Sequence, residues 1–311
     1  MIVLMAQTDD PLVQCLSHGL LQQGYAVCVC DWSQIMYDHG FSWWVPPQAE
    51  ACQSYFLNGT TAVPFSDIEG MMVFPSGSLA LPAAQEWQAA DRDYMYKEAS
   101  AAILGILHSL PCRVINLPVA GGRQRLFFYS RRSREFFKKC RLHLPLMTLA
   151  NSAQRETVQS TEGQGGIRVG SLDDVQRERL AVLETEQDEW DESTIPYPVF
   201  LQAVPAGEIY HFVLVGDSIL GGKVIHENFN GSFNTKVEMS DCSPDLRQAC
   251  LDLSKFCGLI FSECLIVETP DGLWFCLDWN DSPKLSHWAP MVQRAVVSKL
   301  IDLLRGTSSL P

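Results

Sequence analysis

"GLIFSECLIVETPDGLWFCLDWNDSP", residues 258–283, is the stretch from which the fold is read. Two apolar runs, "ECLIVET" and "LWFCLDW", are separated by Pro270-Asp271-Gly272. Proline presets one turn dihedral and glycine supplies a positive φ, so the pair reads as two antiparallel strands. In the second, bulky Phe275 and Leu277 alternate with Cys276 and Asp278, and Asn280 follows after one residue. A core strand that stops in acid-x-amide offers oxygen ligands at its tip. The plainer reading is a polar strand end in which Asn280 makes an Asx turn.

Working backward, "SPDLRQACLDLSKFCG" (243–258) reads as a helix capped by Ser243 and stopped by Gly258. Before it come closely spaced strands: "VFLQAV" (199–204), "EIYHFVLVG" (208–216) and "SILGGKVI" (218–225), with a tight hairpin at Gly216-Asp217. The chain opens differently. "IVLMA" (2–6), a helix capped by Asp10 over 10–25 and "AVCVCD" (26–31) form strand–helix–strand in about thirty residues, the spacing of a parallel βαβ unit. "IEGMMVF" (68–74) adds a strand, a long helix covers roughly 86–109, and "RVINLP" (113–118) follows. A basic helix over roughly 124–141 leads to "LPLMTLAN" (144–151), and a final helix is expected over 289–305.

With 311 residues the chain can bury a large core in two or three lobes. Its net charge of −13 argues against nucleic acid as partner. It has no run of eighteen apolar residues, so no membrane span is expected, and the first apolar run is too short for a signal peptide. Eleven cysteines without CxxC pairs suit reduced, buried thiols in a cytoplasmic protein. Cys28 and Cys30 share one strand face, a poor spacing for zinc. Residues 184–194, "ETEQDEWDEST", read as an acidic loop.

The order of these pieces resembles the ATP-grasp superfamily, most closely the RimK-like and microviridin-type peptide ligases. The resemblance rests on "EASAAILGILHSLPCRVINLP" (98–118), "FFKKCRLHLPLMTLAN" (136–151), "VFLQAVPAGEIYHFVLVGDSIL" (199–220) and the opening stretch. It implies an α/β and α+β fold: an N-terminal parallel α/β domain over 1–118, a central subdomain over 119–198 and a C-terminal antiparallel core over 199–311. It also implies ATP and Mg²⁺ as cofactors. The expected chemistry is phosphorylation of a substrate carboxylate, then attack of an amine or hydroxyl on the acyl phosphate. The expected partner is a peptide or small protein, and a homodimer is left open.

Carried over residue by residue, the resemblance makes Asp278 and Asn280 the metal pair, with Ser282 and Pro283 after them. The partner aspartate falls at Leu265, and only Glu263 shares the face of Leu265 by strand alternation. Ile209 and His211 stand in place of an Asp-x-Arg. For the phosphates the sequence offers Arg131 and Arg132 on the basic helix, Arg168 after "GQGG", and Gln202. Arginine binds phosphate in a different geometry from the compact ammonium of lysine. The expectation is therefore a carboxylate–amine ligase with a reduced metal site, or an inactive relative that binds nucleotide, peptide or protein. Trp43, Trp44 and Trp288 read as packing under a loop, with the lining of a substrate cleft as the alternative, and His211 reads as a half-buried strand histidine.

Overall fold

A computed structural model describes residues 1–31, 39–42, 54–58, 60–74, 88–117, 137–145, 147–150, 167–171, 181–183, 199–225, 236–240, 242–281, 283, 285 and 288–306. The chain begins with β1 (Ile2–Met5), α1 (Pro11–Gln22) and β2 (Val27–Cys30). Asp10 caps α1 by accepting from the Leu12 amide at 2.7 Å, as its side chain and the following proline dictate. Strands β3 (His39–Ser42), β4 (Tyr55–Asn58) and β5 (Thr61–Pro64) form a small antiparallel sheet that no sequence pattern announced. Then come β6 (Gly70–Val73), α2 (Ala89–Ser109) and β7 (Arg113–Ile115). β2, β1, β6 and β7 lie side by side, all parallel, in that order. The expected βαβ opening is present.

β8 (Leu142–His143), β9 (Met147–Ala150), β10 (Ile167–Ser171), β11 (Ala181–Leu183) and β12 (Val199–Ala203) follow. The chain then forms β13 (Glu208–Val215), β14 (Ser218–Ile225), β15 (Lys236–Met239), α3 (Pro244–Cys257), β16 (Phe261–Glu268), β17 (Trp274–Asn280) and α4 (Pro290–Leu304). β12 was expected to open the C-terminal core. It hydrogen-bonds instead to β9 and β10, in a four-stranded antiparallel sheet ordered β11-β10-β12-β9. Strand pairing across fifty residues is long-range information that strand patterns do not carry. The last sheet has six strands, β15-β14-β13-β16-β17-β8, antiparallel except for the β17–β8 edge.

One face of the six-stranded sheet packs on α3 through Phe212, Leu214, Leu246, Cys250, Leu253, Cys264, Ile266, Cys276 and Trp279. Ser243 caps α3, accepting from the Leu246 amide at 3.2 Å, and Gly258 ends it in the left-handed region at φ 69°. Ser243→Ala should therefore cost about 1 kcal/mol in a denaturant titration. The other face runs into a core that joins both ends of the chain. Val213, Val215 and Phe261 meet Ile2, Leu4 and Leu16 there, with Val292, Val296, Leu300 and Leu304 of α4 between them. α4 thus packs at once on α1, the parallel sheet and the six-stranded sheet.

The ten cysteines among the described residues are free, and burial pushes the thiols of Cys28 and Cys112 up to about 11. At neutral pH the thiols of Cys28 and Cys112 are uncharged packing groups. No helix among the described residues is long and apolar enough to cross a membrane.

Candidate functional site

The pairing of β16 with β17 places the candidate residues. Leu265 stands opposite Asp278, and Glu263 opposite Asn280. On the other side of β16, His211 of β13 stands opposite Leu265. Directly paired residues point to the same side of a sheet. His211, Glu263, Leu265, Asp278 and Asn280 therefore share one face, at the tip of the sheet.

Simple alternation would also have put Cys276 on that face. It does not lie there. A β-bulge interrupts the ladder between Leu265 and Ile266: Leu265 pairs with Asp278, while Ile266 pairs with Cys276, leaving Leu277 as the extra residue. Cys276 is turned into the α3 core with Trp279, and Asp278 comes out half-buried on the opposite face. A bulge re-aims a side chain in this way without breaking the strand. Leu277 packs with Val204, Val267, Ile209, Leu265 and Phe275 beside the acid. Because Val204 lies one residue beyond β12, the exit of the four-stranded sheet meets the face that carries Asp278.

Asp278 Oδ1 accepts from the Trp279 amide at 2.9 Å, which fixes the carboxyl. Glu263 is 9% exposed and is held by two donors at the same oxygen. His211 Nε2 lies 2.7 Å from Oε1, and Trp288 Nε1 donates to it at 3.1 Å. The Trp288 ring also lies on the His211 ring, with centroids 4.2 Å apart. A buried carboxylate needs such partners. Glu263 thus stands opposite Asn280 but is tied to a His–Trp knot. His211 occupies the half-buried strand position expected of it, and Trp288 packs at 4% exposure.

Arg168 and Gln202 are brought directly opposite each other in the four-stranded sheet. Arg131, Arg132, Trp43, Trp44, Ser282, the "GQGG" stretch and the acidic loop lie outside the described residues. Among the described residues, no group of three or more His, Cys, Asp and Glu side chains is placed to hold a metal ion. The donor set does fit one Mg²⁺ that arrives with phosphates. Such an ion takes one or two protein oxygens and fills its remaining positions with phosphate and water, and Asp278 with Asn280 supplies a carboxylate and an amide on one face.

A parallel α/β sheet followed by a four-stranded and a six-stranded antiparallel sheet, with an acid-x-Asn strand end on the inner face, is the ATP-grasp fold. Among solved structures it is similar to the macrocyclase MdnC from Microcystis aeruginosa MRC, bound to the precursor peptide MdnA, at 13% identity and TM-score 0.68 over 98% of this chain and 99% of that one. A RiPP-associated ATP-grasp ligase from Chryseobacterium gregarium, in complex with ADP and a leader and core peptide, aligns at 12% identity and TM-score 0.69, covering 99% and 97%. The ATP-grasp ligase PsnB, complexed with a minimal precursor, aligns at 17% identity and TM-score 0.66 over 99% of each chain. No family model matches the chain, and no curated protein matches it.

Proposed function

We propose that the chain is an ATP-dependent carboxylate–amine ligase acting on a peptide, with a metal site reduced to Asp278 and Asn280. The observation that carries this reading is the register of β16 and β17, which sets the Asp278 carboxyl and the Asn280 amide on one face of the sheet. Neighbours of the same fold are complexed with precursor peptides, and one PsnB complex contains Mg and ADP, which supports a peptide carboxylate as acceptor and Mg²⁺–ATP as phosphoryl donor. When bound, the ion would neutralise phosphate charge during transfer. Asp278 supplies the charge that holds it, and Asn280 a neutral oxygen. Glu263, held by His211 and Trp288, keeps its place in the wall. Arg168 and Gln202, opposite in register, are proposed to face the nucleotide from the second sheet, with Arg131 and Arg132 supplying further positive charge.

Leu265 favours a second reading, binding without turnover. It occupies the position directly across from Asp278, where a second carboxylate would hold a second ion. Calorimetry of ATP binding with Mg²⁺ and with EDTA tests the first half of the proposal, and Mg²⁺-dependent binding is expected. ADP release on adding a Glu- or Asp-bearing peptide then separates the readings. Turnover that Leu265→Asp accelerates supports a weakened ligase; release at the blank rate in both proteins supports the binding protein.

A further inference from the structure

One residue far from the tip in sequence is built into it. Asn116 follows β7 directly, and its backbone lies in the left-handed region at φ 55°. Its side chain is 5% exposed and makes four hydrogen bonds, all outside its own lobe. Nδ2 donates to the Phe261 carbonyl at 2.6 Å and to the Asp281 carbonyl at 2.8 Å. Oδ1 accepts from the Ile260 amide at 3.2 Å and the Phe261 amide at 2.9 Å. Both amide hydrogens and both lone-pair directions of the oxygen are used.

The partners lie at two strand ends. Ile260 directly precedes β16 and Phe261 opens it, two residues before Glu263. Asp281 follows Asn280 at the exit of β17. A single side chain therefore ties the entrance of one ligand-bearing strand to the exit of the other, and ties both to the end of the parallel sheet. The position makes two demands together: a side chain that donates and accepts at both ends, and a backbone that tolerates positive φ. Asparagine meets both, because its short amide relieves the left-handed conformation. Gln, Ser and Ala each fail at least one.

We infer that Asn116 is a positioning residue for the metal-bearing tip, setting where Asp278 and Asn280 stand relative to the first lobe. This rests on the ligase reading only in taking the tip to face Mg²⁺–nucleotide. A partner that orients ligands from behind is worth about ten- to a hundredfold in metal affinity. Asn116→Gly keeps the left-handed backbone and deletes the amide. Asn116→Asp keeps the acceptors and sets a carboxylate against two carbonyls.

The test uses the full chain and compares both variants with Val3→Ala, a cavity in the parallel sheet that leaves the tip untouched. Hydrogen exchange of peptides covering 276–285 reads the tip without nucleotide, and calorimetry with Mg²⁺–ATP and with ATP in EDTA reads the site. For both Asn116 variants, tip exchange should rise about tenfold above the Val3→Ala control, and Mg²⁺-dependent affinity should fall about tenfold with the EDTA value unmoved. Exchange no faster than in Val3→Ala overturns the inference, as does faster exchange with unchanged Mg²⁺-dependent affinity. If the wild-type chain binds no Mg²⁺–ATP, the ligase reading falls and the exchange comparison alone decides the role of Asn116.

Discussion

Asp278→Asn is expected to weaken Mg²⁺-dependent ATP binding by roughly a hundredfold, the upper end of what losing even an outer partner of a metal costs. The expectation follows from the donors that the described residues of β16 and β17 place on this face. Asn280 is neutral, Leu265 carries no oxygen on its side chain, and Glu263 Oε1 already serves His211 and Trp288. Asp278 is thus the carboxylate on which a Mg²⁺ at this tip depends. The substitution is close in shape, lies at a half-exposed strand end and retains an oxygen for the Trp279 amide, so the fold should persist. Titrating ATP at a series of Mg²⁺ concentrations checks it. Loss of affinity should disappear in EDTA; affinity that stays at the wild-type value in Mg²⁺ removes Asp278 from the site.

Gly221→Ala is expected to cost more than about 3 kcal/mol, combining forbidden backbone and steric overlap. Gly221 has φ 127°, outside the regions open to residues with a Cβ. A Cβ there would lie 2.2 Å from the His211 carbonyl oxygen and 3.1 Å from the Trp288 ring. Neither can yield cheaply. The first is backbone of the central strand β13, and the second is the indole wedged between Gly221, His211 and Glu263. The variant should show a much lower denaturation midpoint, and the soluble fraction should lose the near-ultraviolet dichroism of its packed tryptophans. A midpoint within about 1 kcal/mol of wild type would mean that the His211–Trp288 packing does not set the sheet's geometry.

Much of this fold is local enough to be visible in the chain. Asp10, Ser243 and Gly258 mark helix ends through hydrogen bonds to neighbouring residues, and Gly216-Asp217 fixes its own hairpin. The Asp-x-Asn strand end was legible for the same reason. What escaped depends on residues meeting from far apart. The bulge that separates Cys276 from Asp278 arises from pairing with Leu265 and Ile266, and strict alternation reads it wrongly. The His211–Glu263–Trp288 knot joins three segments; the sequence offered each residue separately, and nothing in it joined them. Asn116 left less still: an asparagine in "RVINLP", whose three partner residues lie 144 to 165 positions later. β3, β4 and β5 escaped because four-residue strands carry too little pattern to stand out.

α4 has a consequence for how the molecule is made. The buried face of α1 and the core side of β1 precede every other described strand, and the helix that covers them, α4, is synthesised after all the described strands. Until α4 arrives, Leu16, Leu20 and their neighbours lack the cover of Val296, Leu300 and Leu304, so the core of the first lobe cannot close before that helix is made. Contacts this distant along a chain form slowly and leave apolar surface open to aggregation meanwhile. A nascent chain stalled before residue 290 should therefore be held by chaperones, and the lobe that carries α1 should stay protease-sensitive until α4 is released.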